Sequence, residues 1–61
     1  MAIIDIMLVD DSTQEQREDL MVAVTKAATD CLGSPPEKVR IIIREVPKTH
    51  YAIGGVPKSK M

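Results

Sequence analysis

The chain has 61 residues, with eight basic and nine acidic side chains and a formal net charge of −1. This balance predicts no general attraction to nucleic acid or to an anionic membrane surface. A chain this short buries only about 60% of the surface that its unfolded form exposes, so we expect a thin core that needs further support.

Two common sources of that support are excluded by the sequence. Cys31 is the single cysteine, which rules out an internal disulfide, and we expect its side chain to be a small buried apolar group. His50 is the single histidine, and no cluster has the spacing of zinc ligands, so we predict no metal. Oligomerisation remains, and the 44% hydrophobic content is consistent with it.

The amino terminus and the apolar runs bear on location. The first five residues lack the basic start and long apolar core of a signal peptide, and no apolar run approaches 18 residues. We therefore expect a cytoplasmic protein without a membrane partner.

Residues 2–9 are predicted to form the first strand, because both alternating faces are largely apolar. Such strands usually lie inside parallel sheets or at subunit interfaces. One face would carry Ile4, Ile6 and Leu8, and the other Ile3, Asp5, Met7 and Val9.

A turn at Asp10 and Asp11 leads into a helix that we expect to begin at residue 13 or 14. Either Ser12 with Glu15 or Thr13 with Gln16 has the spacing of a capping box. The predicted apolar face consists of Leu20, Val24, Ala27, Ala28 and Cys31, flanked by Met21 and Leu32. The helix should end near Leu32, because Gly33 favours a left-handed cap and Pro35 and Pro36 prevent continuation.

The run from Val39 to Val46 is predicted to be a buried strand because it is apolar and β-branched. Arg40 and Arg44 would point to one face with Ile42 between them, while the other face is apolar. A guanidinium on a mostly buried strand requires an anionic partner or a wet pocket. Arg40 could pair with Asp5, with Glu45 or with another subunit, and Arg44 is expected to form an interface salt bridge.

The strand, helix and strand predict one βαβ unit with parallel strands. After Pro47, residues 50–53 followed by Gly54 and Gly55 are typical of one arm of a small hairpin. We expect His50 at the surface beside this hairpin and predict a single domain over residues 1–61.

The chain resembles the 4-oxalocrotonate tautomerase family in its length, in the order of its elements and in the Ile53-Gly54-Gly55 hairpin. Arg40 in the second strand and Gln16-Arg17 in the first helical turns add to the resemblance. The resemblance implies an α/β fold in which two βαβ units form a four-stranded sheet backed by two helices, and three such dimers form a hexamer. It also implies an isomerase of aromatic hydrocarbon catabolism that uses no cofactor.

In the family, the catalytic base is an amino-terminal proline, two arginines bind the substrate carboxylates, and an aromatic residue lines the pocket. The resemblance places Arg40 at the second-strand arginine and Tyr51 at the pocket aromatic, and we include Ile42 as a substrate contact. It places Ala2 where the proline belongs and Ser12 where the early arginine belongs. This chain therefore lacks the base and one carboxylate ligand.

These departures lead to three hypotheses. The first is that this chain is the proline-lacking subunit of a hetero-oligomeric tautomerase, by resemblance to a heterohexameric member of the family. A homologous subunit that bears the proline would then act on a dicarboxylate or unsaturated keto acid, and Arg40 of this chain would bind that substrate. The second is a homohexamer that keeps the fold without efficient catalysis and has a binding or structural role. The third is a homohexamer in which the amine of Ala2 or Met1 supports slow promiscuous chemistry, because a primary amine retains some free base near neutral pH.

Overall fold

A computed structural model describes residues 1–9 and 11–61, so the part of the predicted turn at Asp10 lies outside the described residues. The order of the regular elements confirms the predicted strand, helix, strand and hairpin. These elements are β1 (Ala2–Leu8), α1 (Gln14–Leu32), β2 (Val39–Glu45), β3 (Ala52–Ile53) and β4 (Val56–Pro57). Three 3₁₀ turns, Pro36–Lys38, Lys48–His50 and Lys58–Lys60, lie before β2, after β2 and near the carboxyl terminus.

Strands β1 and β2 pair in parallel, as predicted for a βαβ unit. Ala2 lies opposite Val39 at one end of the ladder, and Leu8 lies opposite Glu45 at the other. Along β1, and along β2 as far as Arg44, side chains that are at least half-buried alternate with exposed ones, which is the pattern of a sheet covered on one face. Helix α1 contacts β2, so we call the covered face the inner face and the exposed one the outer face.

Both ends of α1 are fixed by local chemistry. Of the two predicted capping boxes, the structure contains the one in which the Thr13 hydroxyl accepts from the Gln16 N–H and the Gln16 side chain accepts from the Thr13 N–H, each at 3.0 Å. At the other end Gly33 has φ 70° and donates its N–H to the Thr29 carbonyl. A β-branched or bulky residue would be strained in this left-handed conformation.

The buried face of α1 matches the predicted one in part. Ala28 is buried and Leu20, Val24 and the flanking Met21 are half-buried, whereas Ala27 and Cys31 are exposed. The reason is geometric: Ala27 lies about 100° around the helix from Ala28, and Cys31 lies in the last turn. The prediction that Cys31 is a buried apolar group was therefore wrong.

The chain is elongated and has little interior. Its radius of gyration is 14.6 Å, against about 10.5 Å for a compact domain of this length, and it measures 43 × 24 × 13 Å. Among the described residues only Ala28 and Val39 are buried. The accessible surface is 4666 Å², roughly 750 Å² more than a compact monomer of 6.7 kDa would expose. The expected thin core is confirmed. None of the described helices is long and apolar enough to cross a membrane.

Candidate functional site

The outer face of the β1–β2 sheet combines charged and apolar side chains. On β2, Arg40, Ile42 and Arg44 are all exposed, while Val39 on the inner face is buried, which confirms the predicted division of this strand. Ile42 keeps 47% of its surface exposed, so β2 is covered on one face only in the single chain. The exposed residues of β1 next to them are Ile3, Asp5 and Met7.

Arg40 is held by the backbone and not by a carboxylate. Its Nη1 donates to the carbonyl oxygen of Glu37, in the turn before β2, at 2.5 Å. The two intrachain partners expected for Arg40 are engaged elsewhere, since Asp5 pairs with Arg44 and Glu45 pairs with Arg17. Within the described residues Arg40 forms no ion pair, so its remaining N–H groups are available to an anion.

Arg44 has a partner within its own chain. Its Nη2 lies 2.5 Å from Asp5 Oδ2 across the β1–β2 ladder, and both side chains are partly exposed. The structure supplies Arg44 with an intrachain carboxylate, and the interface salt bridge stays a prediction.

Ala2 and Arg40 lie at the same end of the sheet. Ala2 is the β1 partner of Val39, and the next pair in the ladder is Ile3 with Arg40. Met1 precedes Ala2 and is 81% exposed. The position that the resemblance assigns to the catalytic amine is therefore adjacent in register to the arginine that would bind the substrate.

A polar network that we did not predict fixes Ser12, the position of the missing early arginine. Arg17 Nη1 donates to Ser12 O at 2.6 Å, to Ser12 Oγ at 3.0 Å and to Glu45 Oε1 at 2.7 Å. The N–H and Oγ–H of Ser12 both donate to Glu45 Oε2, at 3.3 and 3.1 Å. The sequence contained one signal of this network. Glu45 is six residues from Val39 on the same strand, so alternation places its acidic side chain on the covered face.

Tyr51 lies where the second 3₁₀ turn meets the hairpin. Its side chain is 39% exposed, and its carbonyl accepts the N–H of Lys58 at 2.7 Å. Gly54 and Gly55 both have positive φ, at 61° and 84°, as a tight two-residue hairpin turn requires. The neighbouring His50 is exposed, as expected.

These residues do not form a closed site within one chain. The described part of the chain encloses no pocket, and Arg40, Ile42 and Tyr51 all lie on open surface. A small substrate normally binds in a concave site that covers most of its surface. The role of Ala2 as the catalytic position, and of Arg40, Ile42 and Tyr51 as substrate contacts, therefore stays a prediction.

Comparisons with known proteins agree with this architecture. The profile of a family described as tautomerase enzymes matches residues 3–61. A 2-hydroxymuconate tautomerase from a Pseudomonas species is 41% identical over 61 residues, covering 100% of this chain and 97% of its own. A probable tautomerase from Ralstonia nicotianae is 44% identical, over 97% of this chain and 84% of its own.

Solved structures of tautomerases are also similar to this chain. A heterohexameric 4-oxalocrotonate tautomerase from Chloroflexus aurantiacus is 33% identical with a TM-score of 0.91, covering 100% of this chain and 98% of that one. A homologue of 4-oxalocrotonate tautomerase has the same identity and TM-score. With the fold and the matched length both in agreement, the chain belongs to the tautomerase family.

Proposed function

We propose that this chain is the proline-lacking subunit of a hetero-oligomeric 4-oxalocrotonate (2-hydroxymuconate) tautomerase, an isomerase of aromatic hydrocarbon catabolism in the cytoplasm. The observation that carries the proposal is Arg40: a guanidinium without a carboxylate partner in the described chain, beside a strand terminus that carries Ala2. The relatives named 2-hydroxymuconate tautomerase support the reaction, and the heterohexameric structural neighbour supports the assembly.

Arg40 suits the binding of a dicarboxylate. Its planar guanidinium offers paired N–H donors to a carboxylate, and the hydrogen bond to the Glu37 carbonyl restricts its orientation before substrate arrives. As a proton moves between carbons of a dienol, negative charge develops on the conjugated oxygens. A fixed cation stabilises that charge without reorganising.

The proton transfer itself is assigned to the partner. General bases work best when both pKa and placement are tuned. Ala2 lacks the ring that fixes the backbone angle of proline. Ser12 occupies the position of the early arginine and is held in the Arg17–Glu45 network. The partner subunit then supplies a proline base and that arginine, while Arg40, Ile42 and Tyr51 form this chain's part of the pocket.

Elongation and a thin core support an oligomer. With two residues buried among those described, the single chain has little interior to stabilise it. A hexamer of related subunits would cover the outer sheet face and give the open surface around Arg40 a second wall.

The test is reconstitution with 2-hydroxymuconate as the probe. The purified single chain should show little isomerisation, and mixing it with a proline-bearing homologous subunit should restore activity. Arg40→Ala in this chain should then lower kcat/KM by roughly 100-fold, as removal of a group that stabilises developing charge does. Lys26→Ala, a change of an exposed helix cation, is the matched control. Full activity of the single chain, or an unaffected Arg40→Ala complex, would refute the proposal.

A second candidate is a homohexamer with the tautomerase fold and no efficient catalysis, and its support is that this chain has Ala2 and Ser12 at the positions of the family's proline and early arginine. Native mass spectrometry of the complex from its source separates the two, because identical chains only would support the homohexamer. If such a homohexamer isomerises the probe slowly and acetylation of its terminal amine stops it, weak amine-dependent tautomerisation is the better description.

A further inference from the structure

The outer sheet face has the composition of a surface that another protein covers. Three large side chains on it remain 66% (Ile3), 63% (Met7) and 47% (Ile42) exposed. Large exposed apolar side chains that lie together on one face among polar groups are typical of protein–protein interaction sites. The chain's surplus of roughly 750 Å² of surface is close to the ~800 Å² that one partner contributes to a standard interface.

Between the apolar side chains of the outer face lie Arg40 and one ion pair. Asp5 and Arg44 are on adjacent strands, two residues out of register, and their side chains are 44% and 59% exposed. In the single chain such a pair contributes little to stability, because solvent screens it. Once the face is covered the two charges lose water, and burying an ion pair costs free energy unless its remaining hydrogen-bonding groups find partners.

The donors and acceptors of Asp5 and Arg44 that have no partner in the described part of the chain determine which surface can cover the ion pair. Within the described chain, Arg44 uses one donor, on Asp5 Oδ2, and Asp5 Oδ1 accepts from no side chain. A covering face must therefore place an acceptor near Arg44 and a donor near Asp5, with apolar groups around them. An entirely apolar face would leave both charges unsatisfied.

We propose that the Asp5–Arg44 pair is a specificity element for assembly: it fixes the register in which another subunit of this fold covers the outer face. A covering subunit that slips along the strands would set apolar side chains against the charges and lose the compensating hydrogen bonds. Single polar groups in buried helical interfaces specify register and oligomeric state in this way, at a cost in stability. The inference rests on the proposed assembly and specifies the chemistry of its partner.

The test is native mass spectrometry of the assembled protein over a dilution series, for the wild type, Asp5→Val, Arg44→Val and the double variant. Each single variant leaves one buried charge unpaired and should raise the dissociation midpoint concentration by roughly 100-fold. The double variant should assemble at least as tightly as the wild type, but in more than one stoichiometry.

The control is the exposed pair Lys26 and Asp30 on α1, whose alanine variants should leave the midpoint unchanged. Circular dichroism checks folding, and Asp5→Asn replaces Asp5→Val if the latter does not fold. Single variants that dissociate like the wild type, or a double variant with one unchanged stoichiometry, would overturn the inference. Both of these outcomes concern assembly and do not test catalysis. An oligomer that assembles normally but whose activity does not depend on Arg40 would overturn only the proposed function.

Discussion

Glu45→Gln tests whether the network around Ser12 holds the amino-terminal end of α1 against the end of β2. The change keeps the size of the side chain and an amide oxygen for Ser12, and removes the charge that faces Arg17. The Arg17 and Glu45 side chains are 23% and 39% exposed, so the pair is neither fully solvated nor buried. Exposed pairs contribute about 0.2–1 kcal/mol, and breaking a buried pair costs about 3–5 kcal/mol. We therefore expect a loss of about 1.5 kcal/mol in the free energy of unfolding.

The measurement is thermal unfolding at one fixed protein concentration, because association makes the midpoint depend on concentration. For a domain of this size about 1.5 kcal/mol corresponds to a decrease of roughly 6–12 °C in Tm. Arg17→Met and the Arg17→Met/Glu45→Gln double variant complete a cycle whose coupling should be about 1 kcal/mol or more. Lys26→Met breaks an exposed pair within α1 and is the control, with an expected loss of about 0.5 kcal/mol or less. If Glu45→Gln costs no more than Lys26→Met, the network does not hold the two elements together.

Three further outcomes follow from the structure. Thr13→Ala removes one half of the capping box and should cost about 1 kcal/mol in chemical denaturation, whereas an unchanged midpoint would mean that the cap is not formed in solution. Gly33→Ala forces a side chain into a left-handed conformation with no neighbouring atom within 4 Å, so the cost of about 1 kcal/mol should be backbone strain alone and Gly33→Asn should cost less. Ala2→Pro with Ser12→Arg, after removal of Met1, should give the single chain measurable 2-hydroxymuconate isomerisation. Ser12→Arg alone should not, and equal activity of the two would argue against Ala2 as the site of the missing base.

Much of the fold could be predicted because local chemistry determines it. The alternation of β1 and β2, the capping-box spacing at Thr13 and the glycine after Leu32 depend only on residues close in sequence. The face of α1 was predicted less well. Periodicity correctly predicted that Leu20, Val24 and Ala28 are covered, but the predicted stripe also included Ala27 and Cys31, which are exposed.

In the candidate site, too, some features could be predicted from the sequence and others were decided only by the tertiary structure. The sequence by itself determined that Arg40 and Arg44 share a face of β2 and that Ala2 and Ser12 stand at positions where the family resemblance requires other residues. Only the tertiary structure decided which charges meet, because pairing depends on strand register and on contacts between distant segments. It brings Arg17 to Glu45, 28 residues away, and gives Asp5 to Arg44, which leaves Arg40 without a carboxylate among the described residues.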